Sequence, residues 1–271
     1  MNFSTNSCIK KYPIKKIDTH THTYFSFDCA EHLNSPDKMC AAAVAAGLDA
    51  IVLTDHIEVN SEAERIFTPF DRTTHRRQCE EAREKYADKL DVFIGIELGQ
   101  ATHYPDLAGQ IVAEGNFDYV LGSVHNTKGE RDPYYTDFTK LSYGRIIDIV
   151  DKYFDEYLQM TYLPYVDQCA HLTYPLRYIK AAGIDVDISL WDGKIAEILK
   201  SIIVHGKVYE LNSVYVRKNV FLPEDRILQT YRDLGGTEIR LGSDAHYTDH
   251  VASGFDEAYE LIDNIYKGEI K

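Results

Sequence analysis

Two rhythms of apolar and polar positions alternate along the chain. Short β-branched runs such as "AIVLT" at 50–54 and "VFIGIE" at 92–97 are followed by longer stretches whose apolar residues recur at helical spacing. The short runs predict strands over 14–21, 50–54, 92–97, 119–123, 166–170, 207–211 and 238–242. Helices are predicted over 74–89, 105–114, 142–160, 193–204 and 255–267. Two more carry their own punctuation. Ser35-Pro36 places proline at a first helical position and Gly47 closes that helix, while Pro223 and Gly235 bracket another. Strand followed by helix, repeated without a low-complexity linker, is the pattern of one α/β domain, either a parallel barrel or a doubly wound sheet. Seven strands is a barrel-like count.

Charge and composition narrow what such a domain can do. The chain has 29 Lys and Arg against 43 Asp and Glu, a formal charge of −14. A surface of that sign repels a phosphate backbone, so no nucleic-acid partner is expected. No run approaches the ~20 apolar residues of a membrane span. The N-terminal "MNFSTNSCIKKYPIKK" lacks the apolar run of a signal peptide. The expectation is a cytoplasmic protein with no membrane partner; its oligomeric state is left open. Five scattered cysteines, Cys8, Cys29, Cys40, Cys79 and Cys169, form no CxxC pair and are expected to be reduced filler.

Candidate chemistry collects at the strand ends. "DTHTH" lies in the first strand, Asp55-His56 follows the second, Glu97 ends the third and His125 follows the fourth. His171 follows the fifth, Asn212 the sixth, and Asp244 with His246 the seventh. A parallel barrel gathers all these C-terminal ends at one mouth, where residues distant in sequence converge. Strand alternation puts Asp18, His20 and His22 on one face, so both imidazoles can reach one ion while Asp18 orients a ring. An HxH pair is weak evidence by itself; six histidines and three carboxylates at strand ends are a pattern. Such ligands suit zinc, iron or manganese, and a carboxylate can bridge two ions. The remaining His32, His75, His103, His205 and His250 are expected at the surface or at caps.

Taken in order, "DTHTHTYFSFD" (18–28), "LTDH" (53–56), "GIE" (95–97), "FDYVLGSVH" (117–125), "AHLTYPLR" (170–177), "YELN" (209–212) and "LGSDAH" (241–246) resemble the PHP (polymerase and histidinol phosphatase) superfamily, specifically its histidinol-phosphate phosphatases. The resemblance spans nearly the whole chain. It implies one domain over 1–271 with 1–13 as an N-terminal extension, folded as a distorted (β/α)7 barrel with three divalent metal ions at the mouth. The implied activity is phosphate-monoester hydrolysis, with L-histidinol phosphate as substrate in histidine biosynthesis. By motif, one ion would take His20, His22, Glu97 and Asp244. A second would share Glu97 as a bridge and add His125 and His171. A third would use Asp28, His56 and His246. Relatives can carry histidine at the place of Asp28, and an oxygen ligand there favours manganese or iron over zinc.

The implied mechanism needs no protein nucleophile, because metal coordination lowers the pKa of water toward neutrality and supplies a hydroxide to attack phosphorus. Glu97, Asp244 and His246 carry the catalytic expectation; whether Asp244 or His246 relays a proton to the leaving alkoxide stays open. Arg177 and Arg217 resemble the family's phosphate-binding arginines and would clamp the phosphoryl oxygens. The substrate's amine and imidazole could meet loop groups such as Tyr134 and Tyr135. Three other readings compete: a PHP protein-tyrosine phosphatase, a nuclease or proofreading module, and a non-catalytic metal-binding domain. The acidic charge disfavours the nuclease. A constellation this large, followed by arginines, is unlike the closed sites that merely hold a fold together.

Overall fold

Pro13 holds an extended conformation (φ −57°, ψ 145°) and the chain then makes a 3-10 turn over Ile14–Lys16, so the first strand starts at Ile17 rather than at residue 14. The computed structural model describes residues 9–29, 33–64, 70–217 and 224–270, except for the Arg217 side chain. Its strands are β1 (Ile17–Thr21), β2 (Ala50–Leu53), β3 (His56–Glu58), β4 (Asp91–Gly99), β5 (Tyr119–Ser123), β6 (Gln168–Cys169), β7 (Val208–Asn212) and β8 (Ile239–Gly242). Its α-helices are α1 (Pro36–Ala45), α2 (Val59–Glu64), α3 (Arg72–Tyr86), α4 (Pro105–Gly115), α5 (Tyr143–Thr161), α6 (Tyr174–Ala181), α7 (Asp192–Val204), α8 (Val214–Arg217), α9 (Glu224–Asp233) and α10 (Phe255–Tyr266).

Every strand pairing is parallel, in the order β1-β2-β4-β5-β6-β7-β8, with β3 also on β4. Strands β2 and β3 are two parts of one run interrupted at Thr54-Asp55: Leu53 pairs with Ile94 and His56 with Glu97 on the same β4. Eight segments therefore occupy seven places, which agrees with the (β/α)7 expectation. The sheet curls until β8 returns to β1, where the end of β1 and the chain just past β8 make the Thr21–Ala245 bridge and the bonds Asp244 N–H to His20 O (2.8 Å) and His22 N–H to Ala245 O (2.9 Å). The result is a nearly closed barrel wrapped in helices.

Alternation along the strands sorts the core into two layers. Ala50 and Val52 join Ile17, Tyr119, Leu121 and Val208 in a small inner cluster. Ile51 and Leu53 face the helices in the larger outer one, together with Ile94, Ile96, Leu211 and Leu241. Helix α5 shows what the outer layer demands. Ser142 caps it by accepting from Arg145 N–H at 3.3 Å, and its buried stripe includes Ile146, Ile149, Val150, Tyr153, Phe154, Tyr157 and Met160 at helical spacing.

Several bounds differ from expectation for local reasons. Asp71 caps α3 through Thr74 N–H (3.0 Å), so that helix starts at Arg72. Val166 is held in a turn by Leu163 O, which shortens β6. Strand β3 and helices α2, α6 and α8 have no counterpart in the predicted elements. Pro223 and His32 lie outside the described residues. Among the described residues no helix is long and apolar enough to cross a membrane.

Candidate metal centre

The C-terminal ends of β1 and β4, the first residue of β3 and the turns after β1, β5, β6 and β8 bring His20, His22, His56, Glu97, His125, His171, Asp244 and His246 together. At the middle sits Glu97, buried and directed inward by the alternation of β4. Its two oxygens face different histidines. Oε1 lies 3.1 Å from His125 Nε2 and 2.9 Å from His171 Nε2. Oε2 lies 3.2 Å from His20 Nε2, 3.5 Å from His22 Nε2 and 3.0 Å from His56 Nδ1. Asp244 Oδ1 completes the second group, 3.7 Å from His20 Nε2 and 3.5 Å from His22 Nε2. Toward the mouth, Asp28 Oδ2 lies 2.9 Å from His246 Nε2 and 3.6 Å from His56 Nε2.

These contacts can be tested as ligand shells. His20 Nε2, His22 Nε2, His56 Nδ1 and Glu97 Oε2 are buried and in no hydrogen-bond geometry. Leaving such groups unsatisfied costs about 1–3 kcal/mol each. Ligands at 2.0–2.1 Å from a tetrahedral ion stand ~3.3 Å apart, close to the spacing of these atoms. A cation between them would satisfy the whole group, so the residues fit a metal. The donor set of imidazoles and carboxylates suits zinc, iron or manganese. The groupings able to hold an ion are His20–His22–Asp244, His20–Glu97–His171, His22–His56–His246, His56–Glu58–His125 and Asp28–Cys29–His246.

Electrostatics follow from this crowding. Burial disfavours charge on Glu97, yet His20, His125 and His56 hold its carboxyl well below the usual carboxylate range. Burial likewise pushes His20 down, but Glu210, Glu97 and Asp244 together raise it well above an ordinary imidazole. His22, buried with His246 and His56 beside it, is pushed down to about 3 and so is a neutral donor at pH 7. Asp244 opposes its burial through His20 and His22 and stays well below its ordinary value.

The supports behind these side chains were largely missed by sequence reasoning. Glu210 on β7 accepts from His20 Nδ1 (2.6 Å) and, through its other oxygen, from the His171 N–H (2.6 Å). His22 Nδ1 meets Ser26 Oγ at 3.1 Å; Ser26 in turn donates to Asp55 Oδ1, whose other oxygen faces His75 Nε2 at 3.1 Å. His75 is therefore a buried partner rather than a surface residue; His250 is partly exposed, as expected, and it also lines the mouth. His205 does cap a helix, at the end of α7. Glu58 lies 2.8 Å from His125 Nδ1. Its signal was present in "DHIE", where His56 and Glu58 share one face of a strand.

Asp18 does not orient a ring. A bulge between Asp18 and Thr21 breaks the alternation of β1, and the carboxylate instead accepts the N–H groups of His20 (3.3 Å), Ser243 (3.0 Å) and Ala252 (3.0 Å). It ties β1 to the chain beyond β8. Two residues of the cluster, His171 (φ 26°) and Asp244 (φ 52°), adopt left-handed backbone uncommon for non-glycine residues, the kind of strain that collects at functional sites. Close packing also dictates Gly242: a Cβ there would lie 2.2 Å from Glu210 Oε1 and 2.6 Å from His20 Cβ.

Above the cluster opens a cavity of about 520 Å³. Buried Arg177 lines it, its Nη1 3.5 Å from Asp244 Oδ2 and its guanidinium over the Tyr174 ring at 5.1 Å. Burial opposes its charge, but Tyr178 and Asp244 raise its pKa above the ordinary value. Tyr134 and Tyr135 line the same cavity with exposed rings. Arg217 ends α8, and its side chain lies outside the described residues.

A parallel barrel with such a cluster at its mouth defines a class of protein, and the sequence matches it: the PHP domain model covers residues 18–214, and the chain belongs to that family. Among individual relatives, it is 29% identical over 252 residues to a probable histidinol-phosphatase of Clostridium acetobutylicum, covering 91% of this chain and 92% of that one. It is 27% identical to a histidinol-phosphatase of Lactococcus lactis subsp. lactis, covering 86% and 85%. Its fold is that of a crystal structure of histidinol phosphate phosphatase from the same species, complexed with zinc, L-histidinol and phosphate, with TM-score 0.76, 22% identity and coverage of 93% and 94%.

Proposed function

We propose that this protein is a metal-dependent phosphomonoesterase that hydrolyses L-histidinol phosphate to L-histidinol and phosphate. The observation that carries the reading is Glu97, whose two oxygens face two groups of buried histidine nitrogens beneath a cavity lined by Arg177. His20, His22, Glu97 and Asp244 would hold one ion, Glu97 with His125 and His171 a second, and Asp28, His56 and His246 a third; Glu58 is placed to join the set. Ions bound there would supply Lewis-acid activation of water and of the phosphoryl oxygens.

The chain's own residues supply the rest. Glu210 and Ser26 fix the rings of His20 and His22 from behind, which sets which nitrogen each presents. Arg177 is held by Asp244 and by the Tyr174 face, so its remaining donors can receive a phosphoryl oxygen without ordering a free side chain. Arg217 is proposed as the second phosphate ligand from its motif alone. Asp244 and His246, both lining the cavity, are the candidates for relaying a proton to the departing alcohol. The relatives named as histidinol-phosphatases favour that substrate, and the negative surface is no obstacle, because cations and arginine make the mouth locally positive.

Metal analysis coupled to phosphate release from a panel of monoesters tests the reading. L-histidinol phosphate should be turned over only by metal-loaded protein, and well ahead of phosphotyrosine peptides. Metal-loaded protein inert toward L-histidinol phosphate would overturn it.

A further inference from the structure

Four carboxylates line the cavity, Asp28, Glu97, Asp132 and Asp244. Three of them belong to groupings able to hold an ion; Asp132 belongs to none. Asp132 stands in the connection between β5 and α5, ahead of the 3-10 turn Pro133–Tyr135. Its Oδ1 takes both fixing hydrogen bonds, from Tyr134 N–H (2.8 Å) and from the Tyr174 hydroxyl (2.9 Å). Capping the turn needs only that one oxygen. No lysine or arginine among the described residues pairs with this carboxylate, whose hydrogen bonds come from Tyr134 and Tyr174.

Tyr174 ties Asp132 to the centre. Its ring lies 5.0 Å from the His171 ring and 5.3 Å from that of His125, so it is packed against the candidate ligands. Arg177 sits over the face of the same ring, while Asp132 is held at its hydroxyl. One rigid side chain thus sets a cation and an anion at two places along a single wall. Tyr178, 5.1 Å from Tyr174, and Tyr134, 5.8 Å from Tyr178, extend that wall as an aromatic surface. A ligand complementary to it carries a phosphoryl group for Arg177, a flat apolar portion for the tyrosines and a cationic group for Asp132.

We propose that Asp132 is a specificity-determining residue that reads an ammonium group on the alcohol portion of the phosphate ester. This rests on the phosphomonoesterase reading and adds the substrate class: esters bearing a positive charge, distinguished from neutral esters of the same shape. Asp132 takes no part in the chemistry. A charge-assisted hydrogen bond in a partly dry cavity discriminates through the carboxylate left unpaired when the cation is missing.

The test compares L-histidinol phosphate with its desamino analogue, 3-(imidazol-4-yl)propyl phosphate, at pH 8, where an ordinary imidazole is neutral. Two variants are assayed beside the wild type: Asp132→Asn, which keeps the shape, and Asp132→Ser, which keeps an acceptor for the turn. The expected result is a wild-type preference for the aminated ester that both variants abolish, through a loss of ~10–100-fold in kcat/KM on that ester alone. The desamino ester should be turned over as before and metal content should be retained. Equal losses on both esters, or loss of metal, would assign Asp132 to holding the loop or the centre and overturn the proposal. A wild type indifferent to the ammonium overturns it while the phosphatase reading stands. Failure to hydrolyse any monoester removes both.

Discussion

Replacing Glu97 by Gln separates a bridging carboxylate from a merely buried one. The amide can still fill the space, but it offers one weak acceptor where the carboxylate offers charged oxygens to the histidines on both sides. Metal affinity should fall by more than the ~10–100-fold typical of losing an outer hydrogen-bond partner, and phosphate release should fall with it. Full metal content and activity in that variant would sink the bridging role. Arg177→Met asks a different question of the same cavity. Because the guanidinium meets Asp244 through a single 3.5 Å contact, its removal should leave metal content near normal while KM for the phosphate ester rises ~10–100-fold. Parallel loss of metal would instead make Arg177 a support for Asp244.

Strand β3 is where a short element decides the chemistry. Glu58 reaches His125 because its neighbour across β4 is Gly99, where a Cβ would lie 2.4 Å from Glu58 Oε2. Gly99→Ala should therefore displace the Glu58 carboxylate and weaken metal binding, measured by calorimetric titration. Unchanged affinity would mean that Glu58 does not support the centre. A second element-level contact joins the loops that frame the mouth. Glu156 on α5 accepts from Thr102 Oγ1 (2.6 Å) and Lys128 N–H (3.1 Å) and lies 2.7 Å from His103 Nε2. Burial opposes its charge, but His103 and Thr102 hold its carboxyl below the ordinary value. A carboxyl depressed in the folded state stabilises above its unfolded pKa of about 4.3 and loses that contribution as pH falls toward the folded value. Glu156→Gln should accordingly cost ~1–3 kcal/mol at neutral pH and flatten the acid limb of the Tm profile; an unchanged limb would count against it. Elements of this kind mark the limit of the sequence. The β-branched runs and capped helices were legible because burial on both faces of a parallel sheet enforces a strong apolar signal. The candidate ligands were legible because parallel strands deliver their ends to one mouth. "HIE" carries no apolar run and lasts three residues, so only its pairing with β4 reveals it. Glu210 and Ser26 looked like ordinary polar residues, since what distinguishes them is whose ring nitrogen they face; Asp55 was legible as a strand-end carboxylate but not as the support behind Ser26, and Asp18 was misassigned because a bulge breaks the alternation it was judged by.

At the scale of the whole molecule, the barrel's weakest seam and its candidate metal centre coincide. Strands β1 and β8 have no ladder between them; a few backbone bonds near His20, His22 and Asp244 and the Asp18 carboxylate hold them together. Ions held by His20 and His22 on one side, Asp244 on the other and Glu97 across the interior would cross-link that seam. Each ion at ~100–1,000 times its Kd adds ~3–4 kcal/mol to stability. For a chain of this size that is roughly 5–7 °C in Tm per ion, so chelation should lower Tm by at least that much. Asp18→Asn then distinguishes a seam that is coupled to the ions from one that is not. The amide replaces an acceptor facing the Ala252 N–H with a donor, so the metal-free protein should lose stability. In that form the opened seam can relax, whereas the metal-bound form must close it again at the ions' expense. The rise in Tm on adding metal should therefore be smaller in the variant than in the wild type. An equal rise in both would mean that Asp18 closes the barrel without positioning the ligands, and that the seam and the centre merely share a location.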